Sequence, residues 1–276
     1  MGAKILSGRP IADAMLAEAR AKVERLGFAP SLHIVKTSNS QAQDVFVRTK
    51  VRACRSVGAR AVVHELSGPS EAEIISLIGK LNRDDDVHGI VVQLPLPDGI
   101  STIKVLESLD VGKDVDGLHP LNLGMLLAGC EARPTATASA VLKLLEEHKI
   151  NVEGSDVVVV NNSLLVGRPL FAMLTQRMAT VQVCHVKTKG LREKTSRADI
   201  LISATGVPRV ITGEMVAEGA VVVDVGAGFV DGALVGDVDL QGVSERASAV
   251  SPVPGGVGPI TVATIISNLI SCAIGG

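Results

Sequence analysis

Short apolar runs alternate with amphipathic segments along this chain, which is the pattern of strands followed by helices. Residues 9–26 place apolar side chains at three- and four-residue spacing and stop at Gly27, so this segment is predicted to be a helix. Other segments are continuous apolar runs bounded by turn residues, as expected for strands buried on both faces. The predicted strands cover residues 31–35, 59–66, 89–93, 157–160, 179–185, 198–204 and 220–225.

Between these strands the apolar spacing becomes helical, and polar or glycine-containing segments mark the turns. Ser70 and Glu73 have the spacing of a capping box at the start of one such helix. Strands alternating with helices predict a doubly wound parallel sheet over residues 150–250, so the fold class is α/β. Helices are predicted over 44–57, 70–82, 139–148 and from Thr261 onward, and a polar turn is predicted over 38–43.

The segment from Asp156 to Phe171 carries the first candidate for chemistry. A strand of four valines is followed by a polar turn and then by Val166-Gly167-Arg168-Pro169, where the proline suits the first turn of a helix. A strand, a tight turn and a helix N-terminus direct backbone N–H groups and a positive helix dipole toward one point, as in phosphate-binding sites. The segment lacks G-x-G-x-x-G, since Asn161 and Ser163 stand where glycines are expected. A dinucleotide site and a buried turn without a ligand both fit this pattern.

Three polar positions outside that segment suggest a binding site, and each has a plain structural alternative. Lys50 shares a helix face with Phe46 and is either a site residue or a solvated lysine. Gln93 ends a buried strand at the edge where α/β sheets bind ligands, although a glutamine that caps a loop backbone has the same pattern. Residues 113–120 contain two acids and a histidine, which fits a substrate loop or a solvated acidic turn. His119 has no partners at metal-ligand spacing, so no metal site is predicted.

The composition narrows the class of protein. With 276 residues the chain has room for one large or two medium domains, and its net charge of −2 does not indicate nucleic acid or an anionic membrane as a partner. The cysteines lack C-x-x-C spacing, so free thiols are expected. The sequence shows no signal peptide and no apolar run of about 18 residues, so we expect a soluble cytoplasmic protein.

Several short motifs occur in a fixed order along the chain. They are F-x-x-x-K at 46–50, GIVVQLPLP at 89–97, KDVDG-x-HP at 113–120 with Asn122-x-Gly124, SLLVGRP at 163–169, CH-x-KT at 184–188, DVG at 224–226, LVGDVD at 234–239 and PVPGGVGP-x-T at 252–261. In this order they resemble the methylenetetrahydrofolate dehydrogenase/cyclohydrolase family over nearly the whole chain. VQLPLP and PVPGGVGP are specific motifs, so chance is a poor explanation for their joint presence.

The resemblance implies a two-domain α/β homodimer. It assigns residues 1–120, completed by the C-terminal helix at 260–276, to an N-terminal α/β domain that binds folate. Residues 140–257 are implied to form a Rossmann-like NAD(P)-binding domain, with the folate in a cleft between the two. The implied chemistry is oxidation of 5,10-methylenetetrahydrofolate by NADP, or by NAD in its place, and hydrolysis of the methenyl product to 10-formyltetrahydrofolate in one-carbon metabolism.

The resemblance also implies roles for individual residues. Lys50, Gln93 and Asp116 correspond to the catalytic lysine, its supporting glutamine and the aspartate that anchors the pterin ring. A lysine in a closed cleft near a cationic iminium is expected to have a lowered pKa, so that it exchanges protons near neutral pH. The other implied substrate-binding residues are Phe46, Leu94, Pro95, Pro254, Gly255, Gly256 and Thr261. The implied cofactor-binding residues are Asn161, Asn162, Ser163, Val166, Gly167, Arg168, Lys187, Thr188, Thr205, Gly206 and Gly226.

The chain departs from the family pattern at several positions. Phe46 replaces a tyrosine and so lacks the hydroxyl that would bond the lysine, and Asn161 and Asn162 replace the glycine and arginine that begin the nucleotide turn. We expect Asn161 to widen that turn and Lys187 to be the remaining cation near the ribose, so that NADP binds weakly with a modest preference over NAD. Two alternatives stay open: an enzyme of the same fold that acts on another cyclic iminium-like substrate, and a non-catalytic folate-binding homologue. Further departures lie at 135–138, 118 and 227–228.

Overall fold

The computed structural model describes residues 2–38 and 41–275. Its strands are β1 Lys4–Ile5, β2 Ser31–Lys36, β3 Arg60–Glu65, β4 Gly89–Val92, β5 Asp156–Val160, β6 Thr180–Cys184, β7 Ile200–Ser203, β8 Val221–Asp224, β9 Gly228–Val230, β10 Ala233–Val235 and β11 Ala249–Val250. Its α-helices are α1 Arg9–Leu26, α2 Gln41–Ser56, α3 Glu71–Arg83, α4 Thr102–Glu107, α5 Pro120–Leu127, α6 Ala136–Glu147, α7 Gly167–Gln176, α8 Leu191–Thr195, α9 Leu240–Ser244 and α10 Val257–Ala273. These elements divide into two units.

One unit, called here the smaller-sheet unit, comprises Asp13–Met125, Ala132–Ala136 and Val262–Gly276. Its parallel sheet has the order β3-β2-β4, and every residue of the central strand β2 is buried. Apolar side chains of three helices pack with this sheet, including Val23 of α1, Val47 of α2 and Leu269 of α10. The C-terminal helix therefore completes a core that is formed mainly by the first half of the chain.

The other unit, called the larger-sheet unit, comprises Met1–Ala12, Leu126–Glu131 and Thr137–Thr261. Its parallel sheet has the order β1-β11-β8-β7-β5-β6. The chain runs from β5 to β6 at one edge and then crosses to β7 on the other side of β5. The strand order thus reverses at β5, and the crevice at the carboxyl ends of β5 and β7 is where sheets of this kind bind ligands.

The predicted fold class is confirmed, because the chain is a two-domain α/β protein with a Rossmann-like parallel sheet. Helix α1 has the predicted bounds. The predicted capping box is also present: Ser70 Oγ accepts from Glu73 N at 3.3 Å, and Glu73 Oε2 accepts from Ser70 N at 2.8 Å. The predicted strands are correct in position, with ends that differ by one or two residues where the backbone leaves the sheet at a turn.

The start of α2 was predicted too late. The helix begins at Gln41 rather than Asp44, so residues 41–43 of the predicted polar turn are helical. Polar residues are tolerated in a first helical turn, and the carboxylate of Asp44 is favourable at the positive end of the helix dipole. Asn39 and Ser40, which belong to the same predicted turn, lie outside the described residues.

Two other helices also begin earlier than predicted. Helix α6 begins at Ala136 rather than Ser139, because alanines extend a helix readily. Helix α10 begins at Val257 rather than Thr261, because Pro259 is accommodated in its first turn. The short helices α4, α8 and α9 and the β9–β10 hairpin were not predicted, because elements of this length show too little periodicity.

Two general properties complete the fold. Within residues 2–38 and 41–275, no helix is both long enough and apolar enough to cross a membrane. The four cysteines are free thiols, with Cys54 and Cys184 buried and Cys130 exposed.

Candidate active site

Lys50 lies in the third turn of α2, and only 7% of its surface is exposed. Its Nζ donates to Gln93 Oε1 at 2.9 Å. Burial lowers the pKa of the ammonium, and the carboxylate of Asp116 opposes this shift. Lys50 is therefore not a solvated surface lysine. Its amine is desolvated and oriented, which is the state that a proton-transfer group needs.

Gln93 directly follows β4, and its backbone N–H donates to Val35 O at 2.9 Å. This bond continues the pairing with β2 by one residue and fixes the position of the buried Gln93 side chain. The next peptide, Leu94–Pro95, is cis, and Gln43 Nε2 donates to Pro95 O at 2.9 Å. Gln43 was missed by the sequence analysis, although it shares a helix face with Phe46 and Lys50.

Asp116 lies between a 3-10 turn at Val111–Lys113 and α5. Burial raises the pKa of its carboxyl to about 6; the ammonium of Lys50 opposes this rise and the carboxylate of Asp114 adds to it. Asp116 Oδ1 is one of the buried side-chain atoms, within the described part of the chain, that have no hydrogen-bond partner. An unpaired buried acceptor is costly, so this oxygen is poised to accept a hydrogen bond from a ligand.

The backbone around Asp116 is held by its neighbours in the loop. Gly117 has φ +70° and lies against the carbonyl of Pro134, so a Cβ at this position would collide with the backbone. Asp114 is buried and accepts three hydrogen bonds, from Leu118 N at 3.2 Å, His119 N at 2.8 Å and Asn122 Nδ2 at 2.8 Å. Residues 113–120 are therefore not a solvated acidic turn. Asp114 is buried and bonds the backbone of the loop, and Asp116 is buried with one unpaired oxygen.

Three predicted substrate-binding residues lie next to this network in the sequence. Phe46 is one helical turn before Lys50 and is partly buried. Leu94 and Pro95 follow Gln93 in the chain, and Leu94 is partly buried whereas Pro95 is exposed. Phe46 offers an apolar ring for contact with a flat ligand but has no hydroxyl to bond the lysine.

Asn161 directly follows β5 and closes the predicted nucleotide turn. Its Oδ1 accepts from Ser163 N at 2.7 Å and from Gly167 N at 3.0 Å, and its Nδ2 donates to Ala204 O at 2.6 Å. Gly167 approaches the carbonyl of Asn161 so closely that a Cβ would collide with it. The expectation that Asn161 widens the turn is wrong, because the side-chain amide draws the turn together.

Two cationic side chains flank this region. Arg168 is exposed in the first turn of α7, and its Nε donates to Asn162 Oδ1 at 3.5 Å. Lys187 is exposed in the turn after β6, where its N–H donates to His185 Nδ1 at 3.1 Å. Thr188 Oγ1 accepts from His185 N at 2.9 Å and so fixes the same turn.

Two buried acids that were not predicted as site residues, Asp224 and Asp237, hold the loops after β7 and β8. Burial raises the pKa of Asp224 to about 6, although backbone donors oppose the shift. Asp237 Oδ2 accepts from Ser203 Oγ and from Thr205 N. Asp224 accepts from Gly226 N at 2.9 Å, Asp237 N at 3.1 Å and Val238 N at 2.9 Å. These acids therefore position the predicted residues Thr205 and Gly226. Both acids lie in motifs noted in the sequence, Asp224 in DVG and Asp237 in LVGDVD, so the sequence contained a signal for them.

The loop between β11 and α10 contains Pro254, Gly255 and Gly256, and Thr261 follows in α10. Gly8 N donates to Gly255 O at 2.8 Å, and a Cβ at Gly8 would collide with the carbonyl of Gly256. The loop is thus held closely against the residues that precede α1.

The structure brings the predicted residues together in two groups. Lys50, Gln93 and Asp116 interact within the smaller-sheet unit. The nucleotide-turn residues and Thr205 follow the carboxyl ends of β5 and β7 in the larger-sheet unit. In the part of the chain that the structure describes, no group of three or more His, Cys, Asp and Glu side chains is arranged to hold a metal ion. The roles of these residues toward a substrate or cofactor stay predictions.

Comparison with known proteins places both units in one family. The family model described as tetrahydrofolate dehydrogenase/cyclohydrolase, catalytic domain, matches residues 6–116. The model described as the NAD(P)-binding domain of tetrahydrofolate dehydrogenase/cyclohydrolase matches residues 135–274. A bifunctional protein FolD from Moorella thermoacetica is 44% identical over 278 residues, covering 99% of this chain and 99% of the relative.

Solved structures agree with these matches. The bifunctional FolD methylenetetrahydrofolate dehydrogenase/cyclohydrolase from Campylobacter jejuni is 40% identical, with a TM-score of 0.93 and coverage of 99% of each chain. The FolD of Trypanosoma brucei, complexed with NADP cofactor and inhibitor, is 32% identical, with a TM-score of 0.94 and coverage of 99% of this chain and 98% of that one. Identity at this level extends over essentially the full length of each protein. The chain therefore belongs to the tetrahydrofolate dehydrogenase/cyclohydrolase family.

Proposed function

We propose that this chain catalyses two successive reactions on a one-carbon derivative of tetrahydrofolate. The first oxidises 5,10-methylenetetrahydrofolate to 5,10-methenyltetrahydrofolate, with NADP as the hydride acceptor. In the second, water adds to the methenyl carbon and loses one proton, and the bond from that carbon to N5 then breaks as the second water proton moves to N5, which gives 10-formyltetrahydrofolate. The observation that supports this best is the buried network of Lys50, Gln93 and Asp116, in a chain whose relatives are named for both activities.

Lys50 is the proposed proton carrier of the hydrolysis. Burial lowers the pKa of the Lys50 ammonium, and the approach of the cationic methenyl group lowers it further, so substrate binding favours loss of the proton from Lys50. A neutral amine accepts a proton from the attacking water as the carbon–oxygen bond forms. Gln93 Oε1 lies 2.9 Å from Nζ and restricts the directions in which the amine points.

Asp116 is the proposed anchor of the pterin ring. Its buried Oδ1 has no partner among the described groups, and the amino and ring N–H groups of a pterin are donors that match a carboxylate. A site built to pair such donors rejects analogues that lack them, so Asp116 contributes to selection of folate. This pairing favours folate over a smaller iminium-like substrate.

The larger-sheet unit fits a nicotinamide dinucleotide in topology and in charge. Its strand order reverses at β5, which creates the crevice that such ligands use. The exposed cations Arg168 and Lys187 offer charge-assisted hydrogen bonds to phosphate groups. The residues expected to hold NADP are those of the turn at 162–168 with Lys187, Thr188, Thr205, Gly206 and Gly226, while the Asn161 side chain bonds the backbone of that turn. When bound, NADP supplies the acceptor for the hydride.

The test of this proposal is the substitution Lys50→Met. Because a positioned acid or base contributes roughly 10²- to 10⁴-fold, we expect the rate of methenyltetrahydrofolate hydrolysis to fall by at least about 10²-fold. The circular dichroism spectrum should be unchanged, because methionine fills a similar volume in the buried site. The matched control is Lys22→Met, which replaces an exposed lysine of α1 and should leave the rate unchanged.

The results of that experiment test both the role of Lys50 and the proposed function. A wild-type rate in Lys50→Met would remove Lys50 from the reaction. No turnover of methenyltetrahydrofolate by the wild-type protein would contradict the proposed function and would favour the non-catalytic homologue.

We also propose that residues 1–120 with 260–276 form the folate domain and that residues 140–257 form the cofactor domain. We further propose that the protein is a homodimer with a cytoplasmic location. These stay predictions.

A further inference from the structure

The amide of Asn161 spans the crevice at which the larger sheet reverses its strand order. Asn161 is the first residue after β5, and Ala204 is the first residue after β7, the neighbouring strand across the reversal. Asn161 Nδ2 donates to Ala204 O at 2.6 Å. The side chain therefore ties the carboxyl ends of β5 and β7 together at the point where a dinucleotide crosses a sheet of this kind.

The other end of the same amide bonds the backbone at the start of α7. Asn161 Oδ1 accepts from the N–H groups of Ser163 and Gly167, and also from Ser163 Oγ at 2.7 Å. Helix N-termini bind phosphate because their first N–H groups lack partners within the helix. One backbone N–H of the turn, that of Ser163, and the first N–H of α7, that of Gly167, therefore already have a partner in Asn161.

The remaining N–H groups at this helix start are also bonded within the turn. Val166 N donates to Ser163 Oγ at 3.1 Å, and Arg168 N donates to Ser163 O at 3.1 Å. Leu170 N donates to Val166 O at 3.0 Å, and Pro169 has no N–H to offer. The backbone N–H groups of Ser163, Val166, Gly167 and Arg168 are thus bonded internally, and the Asn161 amide accepts from two of them.

We infer that Asn161 is a specificity-determining residue that weakens the binding of every nicotinamide dinucleotide by occupying the donors its pyrophosphate needs. The pyrophosphate is common to NADP and NAD, so Asn161 lowers both affinities by the same factor and does not set the preference between them. The hydrolysis of methenyltetrahydrofolate uses no dinucleotide and is not affected. This inference rests on the proposed function, and it describes an enzyme that is biased toward hydrolysis over oxidation.

The test is Asn161→Gly, with dissociation constants for NADP and NAD measured by calorimetry. Glycine removes the amide and leaves the N–H groups of Ser163 and Gly167 open to a phosphate. A hydrogen bond to a charged group contributes about 1.5–3 kcal/mol, so we expect both dinucleotides to bind at least about tenfold more tightly. The ratio of the NADP to the NAD dissociation constant should stay at the wild-type value.

Two further variants separate this effect from a general change in the turn. Asn161→Asp keeps an acceptor for the N–H groups but adds a negative charge, so its affinity should be equal to or below that of the wild type. Asn151→Gly is the matched control, because Asn151 Oδ1 also accepts a backbone N–H two residues on, from Glu153 at 3.2 Å, before β5 begins. It should leave both dissociation constants unchanged.

The inference is overturned if Asn161→Gly binds both dinucleotides equally or more weakly than the wild type, if only the NADP to NAD ratio changes, or if Asn161→Asp also binds more tightly. Should Asn161→Gly fail to fold, as judged by its thermal midpoint, Asn161→Ala removes the same amide and is held to the same outcomes. Wild-type hydrolysis with no gain in affinity would overturn the inference alone. Loss of hydrolysis in the wild type would instead contradict the proposed function.

Discussion

Replacing Asp116 with asparagine should make the protein more stable above about pH 6 while removing a group that the proposed reaction needs. Asp116 is buried, and one of its carboxylate oxygens has no hydrogen-bond partner among the described groups. Asparagine has nearly the same shape but carries no charge. The substitution therefore removes the cost of burying a carboxylate and leaves the packing around Gly117 nearly unchanged.

The magnitude follows from the pKa of the carboxyl, which burial raises from 3.8 to about 6. Each pKa unit corresponds to about 1.36 kcal/mol, so the shift of about two units corresponds to about 3 kcal/mol. Because the folded-state pKa is raised, the contribution of Asp116 to stability is fully present below about pH 4 and is lost as the pH rises through 6. Asparagine does not titrate. The free energy of unfolding of Asp116→Asn, minus that of the wild type, should thus increase by about 3 kcal/mol between pH 4 and pH 7.5.

The assay is urea denaturation of both proteins at several pH values and constant ionic strength, without folate. The chain has no Trp or Tyr, so far-ultraviolet circular dichroism is the suitable probe. The same comparison in a Lys50→Met background should give a larger increase, because the Lys50 ammonium opposes the effect of burial on Asp116. The substitution should also weaken the binding of a folate analogue by about 100-fold, or about 3 kcal/mol.

A difference between variant and wild type that stays constant from pH 4 to 7.5 would refute this reasoning. It would mean that water or another donor solvates the carboxylate in the folded state. A smaller increase in the Lys50→Met background than in the wild type would show that the ammonium does not act on Asp116. Only the second outcome would separate Asp116 from the lysine network.

Three further predictions concern single residues. Gln93→Ala should lower the rate of hydrolysis by less than Lys50→Met does, because Gln93 orients the amine without carrying a proton; an equal loss measured side by side would assign Gln93 a larger role. Lys187→Ala should bring the ratio of NADP to NAD dissociation constants close to unity, whereas unchanged constants would show that Lys187 is a solvated surface charge. Ser70→Ala should reduce the free energy of unfolding by about 1 kcal/mol through loss of the cap of α3, with hydrolysis unchanged, and unaltered stability in urea would show that the exposed capping box contributes little.

The fold was largely predictable because its long elements carry strong periodic signals. Helix α1 repeats its apolar spacing over several turns, and β5 is a run of valines bounded by polar residues. The starts of α2, α6 and α10 were less predictable, since polar, alanine and proline residues are all compatible with a first helical turn. In these cases the tertiary contacts of the rest of the helix decide where it begins.

Site residues that belong to short motifs were predictable from the sequence. Contacts between residues that lie far apart in the sequence were not. Lys50 and Gln93 came from motifs, and their contact joins residues that are 43 positions apart. The bond from Asn161 to Ala204 has the same separation, but neither residue type suggests it. The effect of Asn161 was therefore predicted with the wrong sign: a side chain larger than glycine was expected to open the turn, and its hydrogen bonds close it.

The way Asp114 holds the loop at 113–120 has a consequence for how this protein tolerates sequence change. Two of the three groups that bond its carboxylate are backbone N–H groups, which every residue except proline provides. Substitutions at 118 and 119 can therefore accumulate without loss of the bonds that set the loop. Leu118, where the chain departs from the family pattern, is one such change. The position of Asp116 thus depends on Asp114 and Gly117, and the side chains at 118 and 119 can change without removing these backbone bonds.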